Sequence, residues 1–275
     1  MTPELTPGLY IVATPIGNLG DLSPRAAHIL AHADVLAVED SRVTGKLLGH
    51  LGVKRSMMPY HDHNAERVRP DLIARMAAGS VALVSDAGTP LISDPGYKLV
   101  RDARAAGRDV FTVPGPCAAV AAVTLAGLPT DRFLFAGFLP AKEKARADAI
   151  AELAGVRATL VFYETGPRLA ACLAALLAGL GDREAAVARE ITKLHEECLS
   201  GTLADLARRY EGYSPKGEIV VVVAPGAPVR AAIDVNAALA EALTRLPAGR
   251  AASEVALATG EDRRMLYARA LELKL

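Results

Sequence analysis

Short apolar runs separated by amphipathic stretches dominate the first part of the chain. Leu9–Ala13, Val35–Val38, Ser56–Tyr60, Val81–Val84 and Val110–Val113 have the length of buried strands, and the segments between them carry helical spacing. This alternation predicts a parallel, doubly wound α/β sheet. Ser23-Pro24 sets a capping hydroxyl before a proline at the first helical position. Asp94-Pro95 repeats the pattern ahead of Lys98–Ala106, which gives Asp94 the role of a cap. Within the helical stretch Asn64–Ala78, Pro70 suits a helix start better than an interior position.

The pattern changes after Pro114-Gly115-Pro116. Strand-like runs follow at Phe133–Phe138, Thr159–Tyr163, Ala185–Glu190, His195–Leu199 and Glu218–Val223, the later ones close enough together to predict a mixed sheet. Pro225-Gly226-Ala227-Pro228 reads as a linker, and Ala237–Leu246, Ala251–Thr259 and Arg263–Leu273 as short helices. The expected organisation is an α/β domain over 1–115, a second over 116–226 and a helical domain over 227–275. The helix–Gly–helix rhythm around Gly260 fits a helix-turn-helix unit or a plain helical cap.

Composition narrows the class. Half of the 275 residues are hydrophobic, Trp is absent, and 31 basic side chains balance 31 acidic ones. Net charge therefore points to no nucleic-acid partner, while leaving room for a local basic face. Cys117, Cys172 and Cys198 are too scattered for a zinc pair or a disulfide framework, which fits a reducing cytoplasm. The start lacks the pattern of a secretory signal. Residues 110–130 carry no charge, but Pro114-Gly115-Pro116 interrupts them, so a buried strand and helix are expected rather than a membrane span.

Candidate chemistry clusters after the strands. Thr14–Gly20 lacks both a dinucleotide fingerprint and a Walker lysine, and taken alone it is either a ligand loop or a tight turn. The segment Ser85–Gly96 packs Asp86, Thr89, Ser93 and Asp94 among glycines and prolines, a set suited to ribose hydroxyls, an amino-acid end group or a cationic centre. Of Glu39 and Asp40, one is expected to cap the next helix while the other faces a cleft. His61 and His63 lack a third ligand, so no metal is expected. The polar segment Arg189–Glu197 reads as an exposed strand edge or as phosphate contacts around Glu190.

Taken in order, Thr14-Pro15-Ile16-Gly17-Asn18-Leu19, Glu39-Asp40-Ser41-Arg42, Ser85-Asp86-Ala87-Gly88-Thr89-Pro90, Ser93-Asp94-Pro95-Gly96, Val113-Pro114-Gly115-Pro116, Phe162-Tyr163-Glu164 and Arg189-Glu190-Ile191-Thr192-Lys193 resemble the RsmI family of small-subunit ribosomal RNA methyltransferases, within the tetrapyrrole methylase-like superfamily. The resemblance implies S-adenosylmethionine between two α/β domains, a cytoplasmic homodimer, and 2′-O-methylation of a cytidine near the decoding centre. The implied acceptor is small-subunit rRNA or the assembled small subunit. Expected cofactor contacts are Pro15, Gly17, Asp86, Gly88, Thr89, Ile92, Ser93, Pro114, Gly115, Cys117, Tyr163 and Ala188. Expected RNA contacts are Arg42, Arg168, Arg189, Arg263 and Arg264. Glu190 and Lys193 are the candidates for catalysis; Lys193 acts as a base only if its pKa is depressed, and is otherwise a phosphate contact. Thr89 stands where tetrapyrrole relatives carry an acid, and Cys117 where a serine is usual, so the contacts of those side chains must be replaced or lost.

Overall fold

The computed structural model describes residues 5–226 and 234–273. By its contacts the chain divides into two compact units, Met1–Gly226 and Ala227–Leu275. The larger unit holds two five-stranded sheets. In the first, strands β1 (Gly8–Val12), β2 (Val35–Val38), β3 (Met57–Pro59), β4 (Ser80–Val84) and β5 (Val110–Val113) run parallel in the order β3-β2-β4-β1-β5. Helices α1 (Pro24–His32) and α2 (Ser41–His50) cover one face through Ile29, Leu30 and Leu47 against Tyr10, Val12, Leu36 and Val38. Helices α3 (Ala65–Arg75) and α4 (Tyr97–Ala105) cover the other through Leu72 and Leu99 against Leu9, Val81 and Leu83. Side chains alternate across a strand, so a run apolar at every position is a strand buried on both sides.

The second sheet is mixed. Strands β6 (Phe133–Phe138), β7 (Thr159–Thr165), β8 (Glu184–Arg189), β9 (Glu197–Thr202) and β10 (Glu218–Val223) lie in the order β6-β7-β10-β8-β9, with only β6–β7 parallel. Its thick face packs under α6 (Glu143–Leu153), α7 (Gly166–Leu180) and α8 (Leu203–Tyr210), around Phe162, Leu173 and Val221. Helix α5 (Ala118–Ala126) covers the other face with Ala119, Ala122 and Val123 against Ala186, Ala188 and Val220; the small side chains bring helix and sheet close.

The helical unit comprises α9 (Val235–Arg245), α10 (Ala248–Thr259) and α11 (Arg263–Glu272) around Leu239, Ala251, Ala252 and Leu266. Asp234 and Asp262 cap α9 and α11, and Gly260 ends α10 in the left-handed conformation. Of the expected linker, Ala227 and Pro228 lie outside the described residues.

Several local expectations need correcting. Pro70 lies inside α3. The carbonyl that loses its partner is that of Glu66 in the first turn, where the chain is exposed and water can replace the missing N–H. Asp94 caps no helix: α4 starts after Gly96, at φ +137°, without a side-chain cap. Ser23 does cap α1, accepting from the Ala26 N–H at 3.1 Å. His195 precedes β9, and residues 190–196 form turns rather than a strand edge, with Glu190 and Thr192 at positive φ.

Gly166 closes the β7–α7 corner against the 213–217 loop. A Cβ there would collide with the Pro215 carbonyl oxygen. Gly166→Ala is expected to destabilise the fold by about 1–3 kcal/mol, the usual cost of overpacking, measured as a lower urea midpoint.

Candidate active site

The carboxyl ends of β1 and β4 meet the second sheet across a cleft. There the Thr14 and Gly88 backbones exchange hydrogen bonds, N–H to O, at 2.8 and 3.1 Å, tying the two glycine/proline loops together. Gly88 has φ +80°, and a Cβ on it would lie 3.1 Å from Ile16 Cγ2 and 3.5 Å from the Pro116 carbonyl oxygen. The loop beyond is strained as well. Leu91 and Ser93 both sit at positive φ, an arrangement costing about 1–3 kcal/mol each that is concentrated at functional sites.

This loop forms one wall of a cavity of about 380 Å³. The opposite wall comes from Cys117, Phe138 at the end of β6, Tyr163 and Glu164 on β7, Ile191, and Gly217–Val220 at the start of β10. Asp86, Gly88, Thr89, Ile92, Ser93, Cys117 and Tyr163 all line it, together with Glu39 and Asp94. No lysine, arginine or histidine does. Glu39, Asp86 and Asp94 form no ion pair among the described residues. Burial raises the pKa of Glu39 and of Asp86. Asp94 is pushed up to about 6, first by burial and then by the charges of Glu39 and Asp86, against a hydrogen bond from Ser85. Asp40, by contrast, caps α2 and is held at about 2 by hydrogen bonds from Arg42. Thus Glu39 faces the cleft and Asp40 caps.

Thr89 and Cys117, the two positions expected to lose a side-chain contact, differ in outcome. The Thr89 hydroxyl donates to the Pro116 carbonyl at 2.9 Å, fastening the loop to the second sheet's side. Cys117 offers α5 no cap. The Tyr163 hydroxyl accepts from the Ala119 N–H instead, at 3.2 Å. The Tyr163 ring packs edge-on against Phe135 and Phe138.

A second cavity of about 400 Å³ adjoins the first. Pro15, Gly17, Thr14, Thr44, Lys46 and Lys193 line it, and Ile16, Asp86, Ala87 and Glu218 belong to both. Over its mouth, the Lys193 side chain lies against Gly17, where any Cβ would strike it. Lys193 Nζ donates to Glu190 at 2.9 Å and to Glu218 at 2.7 Å. Burial alone would lower its pKa; the two carboxylates outweigh that and raise it. Lys193 is therefore a fixed cation. Its hydrogen bond holds Glu190 below the usual carboxylate range.

The remaining expected residues lie elsewhere. Pro114, Gly115 and Ala188 line neither cavity; Gly115 backs onto Ala13, and Ala188 is buried beside Val220. Arg168 pairs with the buried Glu164 at 3.2 Å and bonds the Leu139 carbonyl. Arg189 donates to the Lys216 carbonyl. Arg42 is exposed and forked onto Asp40, while Arg263 and Arg264 are exposed at the start of α11 in the helical unit. Phe138, Glu164 and Gly217–Val220 were not anticipated, since strand interiors carry no local sign of which sheet end borders a cleft. His61 and His63 only stack edge-on. Among the described residues no group of three or more His, Cys, Asp or Glu is set to hold a metal.

Two sheets meeting across such a cleft define the tetrapyrrole methylase fold, and residues 8–207 match the family model described as Tetrapyrrole (Corrin/Porphyrin) Methylases. Residues 230–274 match a second model, the RsmI C-terminal HTH domain. The chain belongs to the ribosomal RNA small subunit methyltransferase I family. It is 57% identical over 273 residues to the protein of that name from Erythrobacter litoralis, covering 98% of this chain and 96% of the relative. The Escherichia coli O157:H7 relative is 43% identical over 96% of this chain and 94% of its own. Among solved structures, diphthine synthase superposes with a TM-score of 0.61 at 17% identity, covering 78% of this chain and 89% of that one. A uroporphyrin-III-C-methyltransferase from Thermus thermophilus gives 0.56 at 24% identity over 78% and 93%. These two likenesses concern the fold alone.

The Asp94 environment carries a pH signature. Its folded pKa, about 6, lies above the ordinary 3.8. The stability linked to its proton is complete below about pH 4 and is lost as pH rises through about 6. Asp94→Asn is expected to gain melting temperature relative to the unsubstituted protein between pH 4 and 7, read from paired thermal melts across that range.

Proposed function

We propose that the chain uses S-adenosylmethionine to methylate the 2′-hydroxyl of a cytidine in small-subunit ribosomal RNA near the decoding centre. Family membership supports the reaction class, and the charge pattern of the first cavity supports the cofactor. That cavity carries unpaired carboxylates and no basic lining, beside a glycine-opened backbone and an aromatic wall. S-adenosylmethionine, with its sulfonium and ammonium groups, ribose hydroxyls and adenine, matches each of these in kind. Glu39, Asp86 and Asp94 would face its positive charge, and Gly88–Ser93 would meet it through backbone groups. Tyr163, Phe138 and Ile219 would hold its flat apolar part. When bound, it would supply an electrophilic methyl for the ribose oxygen, with the C–S electron pair remaining on sulfur and the hydroxyl proton passing to solvent water.

The chain's own contribution is chiefly positioning, since displacement demands the reacting atoms about 3–3.5 Å apart and aligned. The pinned loops supply that rigidity. Lys193, held as a cation, serves phosphate recognition rather than proton abstraction. The same reading makes 1–115 and 116–226 the domains flanking the cofactor and 227–275 a docking element with Arg263 and Arg264. It also makes the protein a cytoplasmic homodimer, supported by the apolar Val120 and Leu125 exposed on α5. No helix among the described residues is long and apolar enough to cross a membrane.

Transfer of labelled methyl to small ribosomal subunits, with naked rRNA and a porphyrinogen as parallel acceptors, tests the assignment. Label mapped to a ribose of the particle or its RNA is the expected result; label on the porphyrinogen alone overturns it. Gly88→Val is expected to weaken S-adenosylmethionine binding at least tenfold in a calorimetric titration while the protein still melts cooperatively.

A further inference from the structure

We propose that Arg168 is a positioning residue for the cofactor: held by the buried carboxylate of Glu164, it grips the Leu139 carbonyl and so keeps Phe138 turned into the first cavity. This rests on the reading of that cavity as the S-adenosylmethionine site. The carrying observation is a break in strand register. β6 and β7 pair in parallel up to Phe135 opposite Val161, then skip Ala136 and resume with Gly137 opposite Phe162 and Phe138 opposite Tyr163. One extra residue turns every later side chain of a strand to the other face. Without it Phe138 would stand opposite Glu164, on the side covered by α6, α7 and α8. With it Phe138 stands on the cleft side, its ring 5.6 Å from that of Tyr163, and Leu139 takes the buried place under the helices. Bulges are uncommon in parallel pairs and recur beside active sites.

A bulge in this place needs holding. β6 is an edge strand of the second sheet, so β7 alone pairs with it. Gly137 sits at φ +65°, a conformation that strains any other residue. Just past the last pair, the Leu139 carbonyl accepts from Arg168 Nη2. Arg168 Nε lies 3.2 Å from Glu164 Oε1, which also accepts from the Thr165 N–H at 2.9 Å. The Glu164 side chain is 1% exposed, so its charge needs a partner where it stands, and that need fixes the guanidinium in place. A guanidinium reaches a carboxylate and a carbonyl at once through its fork, whereas an ammonium on a flexible stem acts as a point charge. Arg168 is thus engaged inside the protein on both sides, between the first turn of α7 and the end of β6.

The test is a double-substitution cycle read by calorimetric titration with S-adenosylmethionine. Phe138→Ala removes the ring and is expected to raise the cofactor Kd about tenfold. Arg168→Lys keeps a cation beside Glu164 without the fork. It is expected to raise Kd by about as much alone, but by less than about twofold when Phe138 is already alanine, because the ring it positions is then gone. Gly137→Ala strains the bulge without touching the ion pair and is expected to show the same dependence on Phe138. It decides the matter should Arg168→Lys lose cooperative melting. Equal losses with and without the Phe138 ring, or no loss in either background, overturn the proposal. So does a rise confined to KM for small ribosomal subunits with cofactor Kd unchanged, which would make Arg168 an RNA contact. Failure of the unsubstituted protein to bind S-adenosylmethionine overturns the parent reading instead.

Discussion

The backbone exchange between Thr14 and Gly88 is the constraint on which the cleft depends. β1 and β4 are neighbours in a parallel sheet, so their carboxyl-end loops emerge side by side and would splay without a link. The bridge extends their pairing beyond the strands in the opposite sense. It favours glycine at position 88, because φ +80° strains any other residue and a Cβ would crowd Ile16 Cγ2 at 3.1 Å. Thr89 then anchors the same loop to the Pro116 carbonyl. Just beyond these two ties the chain turns sharply, with Leu91 and Ser93 in left-handed conformations. Rigid backbone walls on both sides of Asp86 follow from that single pairing.

Electrostatics builds on this frame. Because β2 ends beside the pinned loop, Glu39 reaches the first cavity, and its Oε2 accepts from the Asp86 N–H at 3.4 Å. The Asp40 N–H in turn donates to Asp86 Oδ1 at 3.0 Å. Burial first, and then the charges of Glu39 and Asp86, raise the cost of ionising Asp94, which reaches about 6, while Asp40, hydrogen-bonded by Arg42, stays near 2. A cation entering the first cavity relieves that repulsion. Beyond Ile16 and Ala87 the second cavity adds Lys46 and Lys193, yet it shares Asp86 and Glu218 with the first, and Lys193 is already paired with Glu190 and Glu218.

Most elements were legible from apolar run length because strands buried on both faces have little choice of residue. The errors fall where a local rule competed with a tertiary one. Asp94-Pro95 has the form of a helix cap, yet the strain of the preceding turn delays α4 past Gly96 and frees the carboxylate for the cavity. Pro70 fails as a helix start because Asn64, accepting from the His61 N–H, already organises one earlier. The 190–196 segment looked like an edge strand by polarity alone; its turns exist because Lys193 and Thr192 reach the first sheet's loops. For the site, the glycine/proline loops announced one wall. The start of β10 was invisible, since a strand end carries no sign of what it will face.

The 190–196 turn shows how the two sheets are kept in register around the cleft. Thr192 Oγ1 donates to Asp21 Oδ2 at 2.5 Å, and the Lys193 stem lies on Gly17. Both contacts reach from the β8–β9 connection to the loop after β1, the same loop that Thr14 pins to Gly88. Left-handed backbone at Glu190 and Thr192 is the local cost, offset by the paired charges of Glu190, Lys193 and Glu218. Each sheet thus holds the other's loop: Thr89 crosses one way to Pro116, and Thr192 crosses back to Asp21. A ligand between these loops meets backbone braced from both sides, which is what a reaction governed by alignment rather than by a strong base requires.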